Sequence, residues 1–289
     1  MSKLVQRLLV FFIGVPLVVI IVLFLPFYNN LALNIVLTAF SSIAAVEFSA
    51  MLKTKNLYIS KTAAAILGAL APLAGTIILV FNTPSWTAPL VLMTGASLIL
   101  LPCAFSPIKN VENIIGRIAA GFSVMIYPGA FMYWLVMMSA WEHSGVIILF
   151  FLLVTIFCDS GAWALGMLLG KGNRGIIPVS PNKSIAGFIG GAIGSIVISV
   201  GVMQFVPSAF VLRFDSMPLL AAIIILGLCT GIMGALGDLV ESGIKRSCGF
   251  KDSGNMMLGR GGILDSVDSV AIAAPVFYLL YNMLFINAL

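Results

Sequence analysis

The chain has 289 residues, 61% of them apolar and 9% charged, with a formal net charge of +5. A soluble domain is about half apolar and about a quarter charged, so a mean hydropathy of +1.16 excludes a water-soluble globular protein and points to an integral membrane protein. One histidine and four scattered cysteines exclude a disulfide framework and a zinc centre built on Cys/His spacing.

Apolar runs near the roughly 20 residues needed to cross a bilayer follow one another along the chain. They occupy Leu8–Leu25, Leu31–Leu52, Thr62–Phe81, Ala88–Phe105, Ile118–Met138, Val146–Leu169, Ile185–Val206, Met217–Val240 and Val267–Phe285. The first follows Lys3 and Arg7, as a signal peptide's apolar core does. It is longer than the usual core of about 7–15 residues, and no convincing cleavage site follows, so it is read as a span. Lipid offers the backbone no hydrogen-bond partner, so each span is expected to be a helix. The period-two alternation of a barrel strand is not seen. The expected fold is all-α: a polytopic membrane protein with about nine transmembrane helices. Residues 1–140 read as a plain helical scaffold. Residues 141–289 carry the charged loops and the chemistry, and the whole is one membrane domain.

With nine spans, the loops after even-numbered spans carry Lys53, Lys55, Lys61, Lys109, Arg117, Lys171, Arg174, Lys183, Lys245, Arg246, Lys251 and Arg260, twelve of the fifteen basic residues. The positive-inside rule places these loops in the cytoplasm and both termini outside; Lys3 and Arg7 pull weakly the other way. This bias, with anionic lipid headgroups added, accounts for the net charge without any nucleic-acid partner.

The acidic residues map the chemistry. Asp159 lies inside the sixth span, Asp238 and Glu241 close the eighth, Asp252 sits in the following loop, and Asp265 and Asp268 open the ninth; these are six of the ten acidic residues. An ionisable group at membrane depth is a functional candidate by default. Spans six and eight both run toward the cytoplasm, where span nine begins, so Asp159, Asp238, Asp265 and Asp268 are expected to converge near that edge. Asp265 and Asp268, at i and i+3, share a helix face. The plainer account of that pair is favourable charge at a helix N-terminus. Without a histidine or cysteine cluster, carboxylate oxygens favour a hard cation such as Mg²⁺ over zinc. The longest loop is expected from Glu241 to Ser266. It holds Ser242, Lys245, Arg246, Lys251, Asp252, Gly254 and Arg260, while Ser180-Pro181-Asn182-Lys183-Ser184 precedes span seven. Cations, hydroxyls at a helix start and flexible glycines such as Gly261 and Gly262 suit bound phosphate. Carboxylate-held Mg²⁺ beside Lys/Arg clamps is the apparatus of phosphoryl and nucleotidyl transfer.

Several stretches resemble the phosphatidate cytidylyltransferases, the CDP-diacylglycerol synthases. They are Cys158-Asp159-Ser160-Gly161-Ala162, Val179-Ser180-Pro181-Asn182-Lys183-Ser184 with Gly187-Phe188-Ile189-Gly190-Gly191, Gly237-Asp238-Leu239-Val240-Glu241-Ser242-Gly243-Ile244-Lys245-Arg246, Lys251-Asp252-Ser253-Gly254, and Gly259-Arg260-Gly261-Gly262-Ile263-Leu264-Asp265-Ser266-Val267-Asp268. The likeness is specific over Phe157–Ser269 and rests on length and span pattern before that. It implies transfer of the cytidylyl group of CTP to phosphatidic acid, giving CDP-diacylglycerol and pyrophosphate. It also implies Mg²⁺, with a monovalent co-ion such as K⁺, a site facing the cytoplasm of a bacterial inner membrane, and a homodimer. In this reading Asp238, Asp265 and Asp268 hold metal and, with Lys245, are catalytic. Asp159, Ser180, Lys183, Ser242, Arg246, Lys251, Asp252, Arg260, Gly261 and Gly262 bind substrate. The family usually has Pro-Gly-His-Gly-Gly and Asp-Arg-x-Asp where this chain has Leu258-Gly259-Arg260-Gly261-Gly262 and Asp265-Ser266-Val267-Asp268.

Two other classes remain open on the sequence. A cation-coupled transporter would also place carboxylates in the membrane, although its polar residues usually cluster near the midplane, often in inverted repeats. A homologue that binds lipid or nucleotide without turnover would fit the departures at Arg260 and Ser266. A CDP-alcohol phosphotransferase ranks lower, because its acidic pattern is absent.

Overall fold

The computed structural model describes residues 10–105, 113–214, 217–257, 259 and 261–286. Leu258 and Arg260, like Lys3, Arg7 and Lys109, lie outside the described residues. Ten α-helices follow in order: α1 Val15–Phe24, α2 Phe27–Leu52, α3 Lys61–Phe81, α4 Thr87–Ala104, α5 Ile114–Val124, α6 Phe131–Met137, α7 Ser144–Leu169, α8 Ile185–Phe205, α9 Leu219–Cys248 and α10 Leu264–Leu284. A π-helical turn, Met125–Ala130, joins α5 to α6. Among the described residues extended pairing is limited to isolated bridges. Eight helical segments are long and apolar enough to cross a membrane, and Phe12–Phe24 is a shorter apolar helix. The chain is an all-α, multi-pass membrane protein. Its outward side chains agree: Leu101, Leu168 and Val197 are each more than 60% exposed, as groups solvated by lipid would be.

The largest departure from the hydropathy reading is at the end of the eighth span. The eighth span does not end near Val240, because α9 continues to Cys248 and carries Glu241, Ser242, Lys245 and Arg246 on its last turns. These residues are therefore helical, and the loop expected from Glu241 is confined to residues 249–263. Hydropathy marks where apolar side chains stop, whereas a helix stops where its backbone does. Here the Glu241–Lys245 ion pair at i,i+4 supports the final turns. Lys245 and Arg246 suit the C-terminal dipole, and Gly249, at φ +81°, takes the left-handed turn that ends the helix.

The helices fall into two compact units. The first comprises residues 1–139 and 247–267. In it α2 and α3 approach closely at Gly68, where an added Cβ would stand 2.9 Å from Ser41 O. The Ser41 hydroxyl lies 2.7 Å from Gly68 O and 2.6 Å from Pro128 O, so it covers backbone that the proline-containing π turn leaves open. α2 begins with three left-handed residues, Tyr28, Asn29 and Asn30. Asn29 donates to Leu79 O at 2.7 Å and Asn34 donates to Asn29 O at 2.9 Å, which offsets the cost of a conformation that disfavours L-residues.

The second unit comprises residues 140–246 and 268–289. Its helices α7 and α8 meet backbone to backbone along glycines. A Cβ on Gly194 would lie 3.1 Å from Phe157 C, and one on Gly161 would lie 3.0 Å from Gly190 C. In lipid, where apolar attraction between helices is lost, such small-residue contact supplies the packing. One end of the unit is filled by Trp141, Phe150, Phe151, Phe210, Phe277, Tyr281 and Phe285, all nearly or fully buried, with Phe277 and Tyr281 stacked at 5.9 Å between centroids.

Candidate active site

In the second unit, α9 and α10 bring three carboxylates together. Asp238 and Glu241 sit at i and i+3 on α9 and so share a face; Asp268 projects from α10. One oxygen from each lies within 4.8 Å of the others. Gly237 makes this approach possible, since a Cβ there would be 2.6 Å from Asp268 O, closer than packed atoms tolerate. Glu241 is fully buried and Asp268 is 7% exposed. Asp268 Oδ1 accepts from its neighbour's amide, Ser269 N, at 2.5 Å. Two ammonium groups answer the acids: Lys183 Nζ lies 2.6 Å from Asp238 Oδ2, and Lys245 pairs with Glu241. With all three acids ionised, three carboxylates against two ammonium groups leave one net negative charge in a largely buried setting.

Lys183 arrives from the α7–α8 connection. Gly175 N donates to Pro181 O at 3.0 Å, Lys183 N donates to Ser180 O at 3.0 Å, and Ile185 N donates to Asn173 O at 3.2 Å. These bonds fold the segment back on itself. Ser184 then caps α8 by accepting from Gly187 N at 3.0 Å. The Lys183 ammonium, so placed, also donates to Ala235 O at 3.3 Å. Ser180, half-buried, serves this turn through its backbone. Asp159 is exposed on α7 and adds to the negative field at Asp268, which Lys245 offsets. Ser242 is half-buried and Arg246 exposed on the last turns of α9.

In the first unit a different pair of carboxylates organises the loop between α9 and α10. Asp265 Oδ2 accepts from Ser253 N at 2.8 Å, Ser253 Oγ at 2.9 Å and Gly262 N at 2.7 Å. Glu47, on α2, accepts from Ile263 N at 3.1 Å and Leu264 N at 2.9 Å, and its Oε2 lies 3.1 Å from Ser253 Oγ. An anion on the first amides of a helix is favourable both as hydrogen-bond acceptor and against the dipole. Gly261, at φ +104°, makes the left-handed turn that aims the Gly262 amide at Asp265, and Met257 and Gly261 exchange backbone bonds of 2.8 and 3.2 Å. Lys251 and Asp252 are exposed on this loop.

Two of the three carboxylates expected to hold metal, Asp238 and Asp268, thus meet within one unit, and the third member of that cluster is Glu241. Asp265 belongs to the loop network of the other unit. Sequence reasoning misses Glu47, although the rule that flags Asp159, an ionisable side chain inside an apolar span, applies to it equally. It places Glu241 at the end of the eighth span and gives it no role; the i+3 spacing from Asp238 is the available signal. The donor set suits a hard divalent cation: three carboxylate oxygens, no sulfur or imidazole, and charge left over.

The chain is a multi-pass helical membrane protein with a carboxylate–lysine cluster set into its helices. The chain belongs to the cytidylyltransferase family, whose profile matches residues 5–284. It is 40% identical over 172 residues to a phosphatidate cytidylyltransferase of Staphylococcus haemolyticus, covering 58% of this chain and 62% of that protein. It is 41% identical over 133 residues to the enzyme of that name from Staphylococcus saprophyticus, covering 46% and 48%, and 40% identical over 133 residues, with the same coverage, to that of Staphylococcus aureus. The matched stretches therefore span about half to three-fifths of the length of these relatives.

Proposed function

We propose that this protein transfers the cytidylyl group of CTP to phosphatidic acid. A phosphate oxygen of the lipid attacks the α-phosphorus of CTP, the bond to the β-phosphate oxygen breaks, and pyrophosphate leaves as CDP-diacylglycerol forms. The observation that carries this reading is the Asp238–Glu241–Asp268 cluster with its two lysines, in a chain of this family. One substrate is a lipid and the other a soluble polyanion, so acids and cations set in membrane helices are where the two can meet.

In this reading Asp238, Glu241 and Asp268 would hold Mg²⁺, which when bound neutralises phosphate charge and polarises the reacting phosphoryl group. Lys183 and Lys245 are already placed at this cluster by their ion pairs, so they can exchange a carboxylate partner for a phosphate oxygen without moving far. Ser180, Ser242 and Arg246 supply further donors from the same unit, and Asp159 extends the polar surface. Lys251, Asp252, Gly261 and Gly262 belong to the loop that Asp265 and Glu47 order, and Arg260, outside the described residues, would add a cation for phosphate. Asp265 acts there by fixing the loop. A K⁺ co-ion, a homodimer, and a bacterial inner membrane with the carboxylates facing the cytoplasm complete the proposal.

The test uses the purified full chain, phosphatidic acid, labelled CTP and Mg²⁺, with EDTA and Asp268→Asn as controls. Lipid-extractable label and pyrophosphate are followed together. Both should appear in equal amounts and vanish in either control. Nucleotide bound without turnover would instead identify a non-catalytic homologue, and Mg²⁺-independent activity would remove the metal.

A further inference from the structure

Lys183 and Phe188 stand on either side of the cap of α8. Ser184 accepts from Gly187 N through its side chain at 3.0 Å, and its carbonyl accepts from Phe188 N at 3.1 Å. The residue before a cap and the fourth residue of the helix often pack together as an apolar pair that fixes how the chain enters. Here the first member is a lysine, and the pair does something else. Lys183 Nζ stands over the Phe188 ring, 5.7 Å from its centroid. That is within the roughly 6 Å over which the negative face of an aromatic ring attracts a cation.

The base of the ring is fixed. A Cβ on Gly187 would lie 3.1 Å from Ala162 O, and one on Gly191 would lie 3.1 Å from Cys158 O. This turn of α8 therefore rests on the backbone of α7, and the half-buried ring projects from a rigid support. The lysine has no such support of its own. It leaves the chain from a connection, and its side chain is 25% exposed. Lys245, by contrast, bonds within its own helix to Glu241.

The partners of the Lys183 ammonium differ in kind. Asp238 Oδ2, at 2.6 Å, is an anion. Ala235 O, at 3.3 Å, and the Phe188 ring are neutral. An arriving phosphate oxygen competes with the carboxylate for the ammonium, because both are anions seeking the same charge. It does not compete with the face of a ring in the same way. We propose that Phe188 is a positioning residue for Lys183, its ring holding the ammonium at the cluster while the anionic partner changes from the Asp238 carboxylate to a phosphate oxygen. The ring contact stands without any reaction; the change of partner rests on the transfer activity proposed above.

The first measurement needs no turnover. The lysines of the full chain in detergent are given isotope-labelled methyl groups, which keep their charge, and the Lys183 resonance is assigned by its loss in Lys183→Arg. A group held over a ring face resonates upfield, so Lys183 should lie upfield of Lys171, an exposed residue of the same connection. Phe188→Leu should return it to the Lys171 position and Phe188→Tyr should not. In Asp238→Asn the upfield shift should persist, because the ring holds the ammonium without the carboxylate. The second measurement is turnover. Phe188→Leu should lower kcat/KM about threefold, the scale of one partly exposed cation–π contact, and Phe188→Tyr should restore it. Phe188→trifluorophenylalanine keeps the shape of the ring and drains its negative face, so it should behave as Phe188→Leu in both measurements. In Lys183→Met, substitution at Phe188 should cost nothing further, since the residue it acts through is gone. The proposal is overturned if Asp238→Asn abolishes the upfield shift or if the fluorinated ring behaves as phenylalanine, which would make the contact simple packing. It is also overturned if the loss from Phe188→Leu persists in Lys183→Met. The expected shifts in a protein without turnover would leave the ring contact standing and remove the transfer reading instead.

Discussion

Both units contain carboxylates beneath the surface, and they are used in opposite ways. In the first, Glu47 and Asp265 accept from backbone amides and a serine hydroxyl at 2.7–3.1 Å. In the second, Asp238, Glu241 and Asp268 face one another and two ammonium groups. A carboxylate that accepts from several backbone amides fixes a loop. Carboxylates crowded together repel, and a bound cation would relieve that repulsion. The chemical group is the same, and its neighbours differ between the two units.

That contrast can be broken by equivalent substitutions in the two units. The largest effect is expected for Asp268→Asn, which should lower turnover by about 10³-fold, the scale of losing a positioned catalytic group. Its thermal midpoint should be unchanged or higher, because one of three repelling charges is gone; a large fall in the midpoint would make Asp268 an anchor instead. Lys183→Met should cost roughly 10²-fold in turnover. Its loss of stability should stay below about 1 kcal/mol, since the pair with Asp238 is partly exposed. Chemical denaturation and steady-state rates on one preparation separate the two.

Glu47→Gln should show the reverse balance. The amide nitrogen replaces one of the two oxygens that separately accept from Ile263 N and Leu264 N and presents a donor to a donor there, so stability should fall by about 1–3 kcal/mol, with hydrogen exchange accelerated across residues 251–265. Activity should fall about tenfold, the lower end for a residue that orients others, mainly in KM if the loop contacts nucleotide. Asp265→Asn is the mildest: its remaining carbonyl oxygen can still accept from Gly262 or Ser253, so about 1 kcal/mol is expected. A 10³-fold loss of turnover at unchanged stability would place Asp265 with the reacting carboxylates and erase the difference between the two units.

Much of the architecture is legible in the order of the residues. Helical spans lie where apolar runs predict them, because in lipid a long apolar segment has no alternative to the helix. Asp238, Asp268 and Lys183 stand out as charged groups at the ends of such runs, and they meet. What is not legible depends on contacts distant in sequence. Glu47 lies more than 200 residues from the amides it accepts from, and no local pattern announces such a partner. The extension of α9 to Cys248 is hidden because its last turns are polar, and hydropathy cannot tell a polar helix end from a loop.

The class of protein, the approximate position of most of its spans, and the crowding of acids and bases toward its C-terminal half all follow from the solvation of each segment alone, so the residues in order are enough to settle them. Which carboxylates meet is a matter of packing between helices. Spacing within a helix settles that Asp238 and Glu241 share a face. That Asp268 joins them depends on how α9 and α10 pack and how closely Gly237 lets their backbones approach, and that Asp265, three residues earlier, serves the loop instead depends on where Ser253 and Gly262 bring their donors.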